Sequence, residues 1–500
     1  MAPMVRRILL VDVDLPASDG NEMSVYYTHH PIGLLYLASS VKARFPETEF
    51  RVFHTATSTK PLDDIKDILN TFEPELVGLR ALSIAKQFFN ETAVFIKSLR
   101  PLVPVIGGGP YPSVSYAELL SGGFIDMAVI GEGEATFIEI VSKISDRGTC
   151  PNDIDGTAVL KNGLVKVNTA RKPIEDVDKI PFPDYSLIHI SDYSGIENHA
   201  LQKSSECAFI LSSRGCPYAC FYCHQLFGRK IRRRSAANVV AEMRAHVDLR
   251  GIHNFVFLDD VFNLPADAAK SLLRLIAVEL PGVKLNFPNG LRTDRLDDEL
   301  IDLFSAAGTV EMALAIETAT PRLQRLIGKN LDLVKAEKAI EEATRRFITR
   351  LFFIVGFPGE TFDEALNTIR MAARFPYAAQ PMLSVLRIYQ NSPFYQQLRP
   401  DEAQARAIAE QEKKQLHLEM FDEVNFYGDF FPADKVPLKS PDLKELLYLW
   451  MRDVFINPER IKKSHSVLLK HLDGEQILEF YRSVFNKPAF SSKELEKLLR

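Results

Sequence analysis

The stretch Ser213-Arg214-Gly215-Cys216-Pro217-Tyr218-Ala219-Cys220-Phe221-Tyr222-Cys223 holds three of the chain's five cysteines in a Cys-x3-Cys-x2-Cys spacing. It follows the apolar run Cys207–Ser212, which reads as a strand buried on both faces. A loop of this size can turn three thiolates toward one centre. A closed structural zinc site wants four ligands, and no second Cys-x2-Cys or histidine pair follows at finger spacing. An iron–sulfur cube held by only three thiolates leaves one iron open to a small molecule, and strand–loop context favours it over a zinc knuckle or buried thiols. Cys207 lies within the strand pattern and reads as core, and Cys150 reads as a bystander.

Outward from this loop, strand and helix patterns alternate. Strands are expected at Asn254–Leu258, Lys284–Phe287, Val310–Ile316, Arg350–Val355 and Met382–Ile388. Helices are expected at Ser235–Leu249, Asp267–Glu279, Asp297–Ala307, Asp332–Arg346 and Phe362–Arg374, with Ser235 as an N-cap. Six strand–helix units predict a partial (β/α)6 TIM barrel over residues 201–400, because eight units would close it. Residues 401–500 read as a helical region, interrupted by the aromatic stretch Phe421–Phe431. Phe421, Phe426, Tyr427, Phe430 and Phe431 fit either an apolar substrate pocket or a helix-packing surface, and the second is commoner. Tyr389 and Tyr395 are candidates for substrate acid or base, with aromatic core the blander reading.

The cysteine spacing, with Tyr222 before the third cysteine, resembles the radical S-adenosylmethionine superfamily. The resemblance continues along the barrel: Phe257-Leu258-Asp259-Asp260-Val261-Phe262 ends the second strand, Gly290-Leu291-Arg292-Thr293-Asp294 follows the third, Ala315-Ile316-Glu317-Thr318 ends the fourth, and Val355-Gly356-Phe357-Pro358-Gly359-Glu360-Thr361 ends the fifth. It implies that Cys216, Cys220 and Cys223 ligate a 4Fe-4S cluster whose open iron chelates the amino and carboxylate groups of S-adenosylmethionine. Tyr222, Asp259, Asp260, Arg292, Glu317, Gly356 and Pro358 then contact S-adenosylmethionine, Asp259 and Asp260 near the methionine amino group, Glu317 near ribose, Gly356 and Pro358 near adenine. One electron from a donor such as flavodoxin or ferredoxin then yields methionine and a 5′-deoxyadenosyl radical.

Residues 1–150 read as a Rossmann-like, doubly wound parallel sheet of five strands, from Arg7–Val13 to Phe124–Ile130, with intervening helices. Gly-x-Gly-x-x-Gly is absent after the first strand, which argues against a dinucleotide. Instead Leu82-Ser83, Gly107-Gly108-Gly109 and Gly131-Glu132-Gly133-Glu134 follow the third, fourth and fifth strands, where a doubly wound sheet keeps its ligand. Joined to the barrel, this region is similar to the cobalamin-binding module of class B radical S-adenosylmethionine methyltransferases. By that resemblance Ser83, Gly107, Gly108, Gly109, Gly131, Glu132 and Gly133 line a cobalamin site. The Asp-x-His-x-x-Gly motif of the older cobalamin modules is missing, and the pair His29-His30 reads as solvated. Residues 151–200 are expected to hold a hairpin about Asn162-Gly163 and a proline-rich linker.

The resemblance implies cobalamin-dependent methylation of an unactivated carbon in a small-molecule or lipid-like substrate. Relatives of this architecture also cyclise, contract rings or join carbon chains, and a non-catalytic cluster or cobalamin sensor is a third, weaker reading. Composition agrees with an enzyme of several domains: 500 residues, 46% hydrophobic and 25% charged. With 60 basic and 65 acidic residues the formal net charge is −5, so no nucleic-acid partner is expected. The run Gly228–Arg234 reads as a solvated helix entry that offsets an anionic cluster. No apolar run nears the roughly 18 residues of a membrane helix. Ile8-Leu9-Leu10-Val11 is too short for a signal-peptide core, so a cytoplasmic location is expected.

Overall fold

In β1 (Arg7–Val13) six of seven residues are buried, as a central strand covered on both faces must be. The computed structural model describes residues 5–15, 28–147, 150–194, 196, 204–223, 227–388, 393–413, 426–485 and 491–499. Two units emerge: Met1–Phe209 with Leu226–Gly228 and Arg232–Arg234, and Ile210–Gln225 with Arg229–Ile231 and Ser235–Arg500.

In the first unit, α1 (Ile32–Arg44), β2 (Glu49–His54), α2 (Pro61–Phe72), β3 (Leu76–Ala81), α3 (Lys86–Leu99), β4 (Val105–Gly108), α4 (Pro110–Ser121), β5 (Met127–Val129) and α5 (Glu134–Arg147) follow β1. The hairpin β6 (Thr157–Lys161) and β7 (Leu164–Val167) turns at Asn162 and Gly163, both at positive φ, 53° and 75°. The sheet runs β2-β1-β3-β4-β5-β6-β7, parallel through β5 and antiparallel thereafter. The hairpin thus lengthens the cofactor-type sheet. Chain order reverses between β1 and β3, which puts the ligand crevice beyond the carboxyl ends of the strands. Leu9, Val11, Leu79, Phe89 and Ile96 fill one side of the sheet and are almost inaccessible.

Two expectations fail in this unit. His30 is buried, its ring edge-on to Tyr185, Tyr193 and Phe209 at centroid separations of 5.6, 4.4 and 4.8 Å. An imidazole offers enough apolar ring to join an aromatic cluster, so the solvated reading is corrected. The basic run is not wholly solvated either: Arg232 is buried and ion-paired with Glu132 at 2.5 Å.

The chain then passes through β8 (Cys207–Ile210), the two-residue strands β9 (Ser213–Arg214) and β10 (Arg232–Arg233), α6 (Ala236–Arg250), β11 (Asn254–Phe257), α7 (Ala266–Glu279), β12 (Lys284–Arg292), α8 (Asp298–Ala306), β13 (Thr309–Glu317), α9 (Pro321–Leu326), α10 (Leu333–Arg346), β14 (Ile348–Val355), α11 (Phe362–Ala373) and β15 (Gln380–Val385). The second sheet runs β8-β11-β12-β13-β14-β15 in sequence order, with β11 to β15 all parallel. This is the partial barrel. Side-chain caps set its helix starts: Ser235, Asp297, Asp332 and Thr361 each accept from the backbone N–H three residues on. Between strands and helices, Phe257 stacks on Phe287 at 5.0 Å, with Phe262 and Phe304 against them.

Beyond the barrel come α12 (Pro393–Leu398), α13 (Glu402–Lys413), α14 (Ser440–Trp450), α15 (Pro458–Leu468), α16 (Gly474–Val484) and α17 (Ser492–Leu499). Arg460 ties this region to the barrel, donating to the Val454, Phe455, Ala378 and Ala379 carbonyls, the last two just ahead of β15. Burial lowers its guanidinium to about 10. Tyr389 and Phe421 lie outside the described residues. No helix among the described residues is long and apolar enough to cross a membrane.

Candidate cluster and cofactor sites

The cysteine loop leaves β9 through Gly215 at φ 94°. Among the described residues, which include all five cysteines, no disulfide forms; Cys207 is buried core, Cys216 and Cys220 are half-buried and Cys223 is more exposed. Desolvation pushes the Cys223 thiol up to about 12, the charges of Cys220, Cys216 and Asp260 adding to this and Lys329 opposing it. Cys216 is raised by burial and Asp260 and eased by Arg292. Three thiols on one short loop are a donor set for a metal centre, since coordination takes each as the thiolate. Among the described residues no three His, Cys, Asp or Glu stand at the spacing of a single ion. A cube asks something else, because each thiolate takes its own iron.

The loop is held from several sides. The Phe221 N–H donates to the Ile327 carbonyl at 3.0 Å. Gly328 lies so close that a Cβ there would be 2.7 Å from the Ala219 carbonyl oxygen. Arg292 sits 3.9 Å from the Tyr218 ring centroid and donates to the Lys329 and Asn330 carbonyls at 2.6 and 3.0 Å and to Asp294 at 2.7 Å. The short helix α9 and the turn after it, absent from the sequence-based expectations, supply most of this brace. Pro321 starts this helix and Gly328, at φ 68°, turns the chain out of it.

The two aspartates at the end of β11 separate in role. Asp259 is buried and turns back to β9, accepting from the Ser212 N–H at 3.2 Å, the Ser212 hydroxyl at 2.7 Å and the Ser213 hydroxyl. Asp260 is the one whose charge reaches Cys216 and Cys223. Glu317, buried and at φ 70°, accepts from the Lys329 ammonium at 2.7 Å. Burial and then the Glu317 carboxylate push the Tyr222 phenol far up. Pro358 and Gly356 are buried in the turn after β14. Phe357 of that turn stands 6.4 Å from the Tyr222 ring and 6.4 Å from Phe394, which meets Phe221 at 5.8 Å. The structure thus groups Cys216, Cys220, Cys223, Tyr222, Asp260, Arg292 and Glu317 about one loop, and an aromatic chain joins the Gly356–Pro358 turn to it.

In the first unit the glycines divide by what fills their missing side chains. A Cβ on Gly107 would lie 2.8 Å from Ile125, and one on Gly133 2.9 Å from Leu37, so these two serve packing. Among the described residues a Cβ on Gly108 would meet nothing nearer than Val129 at 3.9 Å, and one on Gly131 nothing within 4 Å. Gly109, at φ 81°, lies against Arg80, whose guanidinium grips Asp12 at 2.7 and 2.8 Å. Ser83 is exposed at the end of β3. Glu132 is spent on protein: it accepts from Arg232 at 2.5 and 2.9 Å and from the Ile174 N–H at 2.9 Å. Bare backbone at Gly108 and Gly131, at the ends of adjacent strands, leaves room that side chains would fill.

The radical SAM superfamily profile matches residues 210–372 and the B12 binding domain profile residues 22–141. An uncharacterised methyltransferase of Pyrococcus horikoshii is 30% identical over 380 residues, spanning 74% of this chain and 78% of the relative. Cytidylyl-2-hydroxyethylphosphonate methyltransferase of Streptomyces wedmorensis is 27% identical over 66% of this chain and 67% of its own length. In fold, the cobalamin-dependent S-adenosylmethionine radical enzyme OxsB matches at TM-score 0.69 with 14% identity, over 96% of this chain and 71% of that one. The radical S-adenosylmethionine methyltransferase TsrM of Kitasatospora setae matches at 0.63 with 20% identity, over 78% and 75%. With a three-cysteine loop at the head of a partial barrel and a B12-binding sheet ahead of it, the chain belongs to the radical S-adenosylmethionine superfamily, in its cobalamin-binding branch, and its cofactors are a 4Fe-4S cluster, S-adenosylmethionine and cobalamin.

Proposed function

We propose that the protein is a methyltransferase that adds a methyl group to an unactivated carbon of a small, largely apolar substrate. The observation that carries this is the pairing of a braced three-thiol loop with open glycine backbone at Gly108 and Gly131 in a chain whose relatives are named methyltransferases. When bound, the cluster with S-adenosylmethionine supplies a hydrogen-abstracting radical, and cobalamin supplies a methyl carrier. The protein's part is to hold and to exclude. Cys216, Cys220 and Cys223 would ligate the cluster. Asp260, Arg292, Glu317 and Tyr222 would orient S-adenosylmethionine, with the Glu317 carboxyl held in place by the Lys329 ammonium. The Gly356–Pro358 backbone would meet the adenosine half, while Asp259 fixes the loop's root. Gly108, Gly109, Gly131 and Ser83 would border cobalamin, with Gly107, Gly133 and Glu132 shaping its walls. A flavodoxin or ferredoxin would supply the electron.

Anaerobic reconstitution with iron, sulfide and hydroxocobalamin, followed by product mass spectrometry, tests the reading. A substrate mass gain of one methyl group supports it. A loss of hydrogen without methyl gain supports a second reading, cyclisation, favoured by a relative named anaerobic magnesium-protoporphyrin IX monomethyl ester cyclase from Rubrivivax gelatinosus, 26% identical over 68% of this chain and 61% of its own length. No 5′-deoxyadenosine under reducing conditions would sink both.

A further inference from the structure

The region after the barrel carries no motif, yet one stretch of it is built onto the turn after β14. Phe426, Tyr427 and Phe431 are 2%, 1% and 3% exposed. The Tyr427 hydroxyl donates to the Gly356 carbonyl at 2.7 Å. The Phe426 ring occupies the space beside Gly356, where a Cβ would lie 2.8 Å away. The Gly359 N–H donates to the Lys435 carbonyl at 2.9 Å. From within the turn, the Glu360 carboxylate accepts from the Gly356 and Phe357 N–H groups at 2.5 and 2.9 Å.

The bracing stretch is itself pinned. Lys439 donates to the Gly428 and Phe431 carbonyls at 2.7 and 2.6 Å, and Gln404 to the Phe430 carbonyl at 2.8 Å. A mere helix-packing surface would bury rings without fixing another segment's backbone polar atoms. Here two such atoms of the Gly356–Gly359 turn, one carbonyl and one N–H, are taken by residues more than seventy positions away. Directional bonds to a turn that carries two positive-φ glycines, 89° at Gly356 and 73° at Gly359, select one of its many conformations.

We propose that Phe426–Lys435 is a positioning element for S-adenosylmethionine, holding the Gly356–Gly359 backbone from behind through the Tyr427 hydroxyl and the Lys435 carbonyl. This rests on the reading that the turn meets the adenosine half of S-adenosylmethionine. The region beyond the barrel then helps to build the cofactor site as well as any substrate pocket. Tyr427 acts through the turn and touches no reacting atom.

The test is equilibrium dialysis of S-adenosylmethionine, and separately of free methionine, against the anaerobically reconstituted protein, with iron content recorded. Tyr427→Phe and Phe426→Leu perturb the brace, and Pro358→Gly perturbs the turn itself. Loss of one neutral hydrogen bond predicts that Tyr427→Phe weakens S-adenosylmethionine binding about five-fold, with methionine affinity and iron content unchanged. Phe426→Leu and Pro358→Gly should weaken it in the same selective way. If Pro358→Gly weakens S-adenosylmethionine binding but both brace variants bind as the parent does, the inference is overturned and the reading of the turn survives. If all three bind as the parent does, the reading of the turn falls and the inference with it. Equal loss of S-adenosylmethionine and methionine binding in the brace variants would mark a general loss of fold and overturn it too.

Discussion

The cysteine loop and the glycine turns contrast in how each makes room for a cofactor. The loop presents side chains, and the protein closes around its back through Ile327, Gly328 and Arg292. The turns after β4 and β5 present the lack of side chains, and at Gly108 and Gly131 no described residue comes nearer to a Cβ than Val129, at 3.9 Å from Gly108. A site made of donors is defined by what is there. A site made of bare backbone is defined by what is missing, and any added atom is an intruder.

The comparison breaks most visibly at the loop. Cys220→Ala should abolish the cluster's visible absorbance and all 5′-deoxyadenosine, while cobalamin binding to the first unit persists; both are read from spectra and product assays of one preparation. Gly328→Ala tests the brace without touching a donor. Its Cβ would press on the Ala219 carbonyl at a φ of 68°, so a destabilisation of about 1–3 kcal/mol and a clear drop in iron per chain are expected from calorimetry and iron analysis. A chain that loads iron normally would show the brace to be incidental.

The glycine turns are sharpened by a pair of variants. Gly108→Leu should lower cobalamin retention about ten-fold or more in a gel-filtration assay, with little change in melting temperature, because its Cβ meets no described atom nearer than Val129 at 3.9 Å. Gly107→Ala should do the reverse. It must displace Ile125, costing about 1–3 kcal/mol in thermal unfolding, with cobalamin affinity in the surviving fold nearly unchanged. If both variants behave alike, the division between packing and cradle glycines is wrong.

The smallest expected effect is a pH slope. Burial pushes the Glu360 carboxyl up to about 8, opposed by the Phe357 and Gly356 N–H groups and Arg322 and aided by Glu364; the Tyr427 phenol also faces it. The neutral form is favoured in the fold, so this group's contribution is fully present below the ordinary carboxyl range. It fades as pH rises from there through about 8. Denaturant midpoints across pH 5 to 8.5 should fall less in Glu360→Gln than in the parent chain. An unchanged slope would locate the pH dependence elsewhere.

Much of this was legible in the sequence. The barrel strands and helices follow hydrophobic period and caps, and Ser235 caps α6 as its type and place suggest. The three cysteines proposed for the cluster stood out by their spacing alone. What escaped is whatever depends on long-range pairing. Asp259 and Asp260 are adjacent and alike in sequence, just past β11, yet one bonds Ser212 and the other's charge reaches the thiols. Glu132 looked like part of a ligand-facing Gly-Glu-Gly turn until Arg232, a hundred positions on, took its carboxylate. His30 was masked by the habit of counting histidine as polar. Tyr427 belonged to an aromatic run that hydrophobicity alone cannot sort into packing or bonding.

The Glu132–Arg232 pair bears on how such a chain could be rearranged. Arg232 belongs to the first unit although it lies beyond the start of the second. A fragment ended at Phe209 would keep a buried carboxylate without its guanidinium, a defect of about 3–5 kcal/mol. Moving the first unit to another protein by a single splice at Phe209 would create that defect. The portable piece is therefore discontinuous, and recombination between relatives would favour exchanges that carry Arg232 along with the sheet.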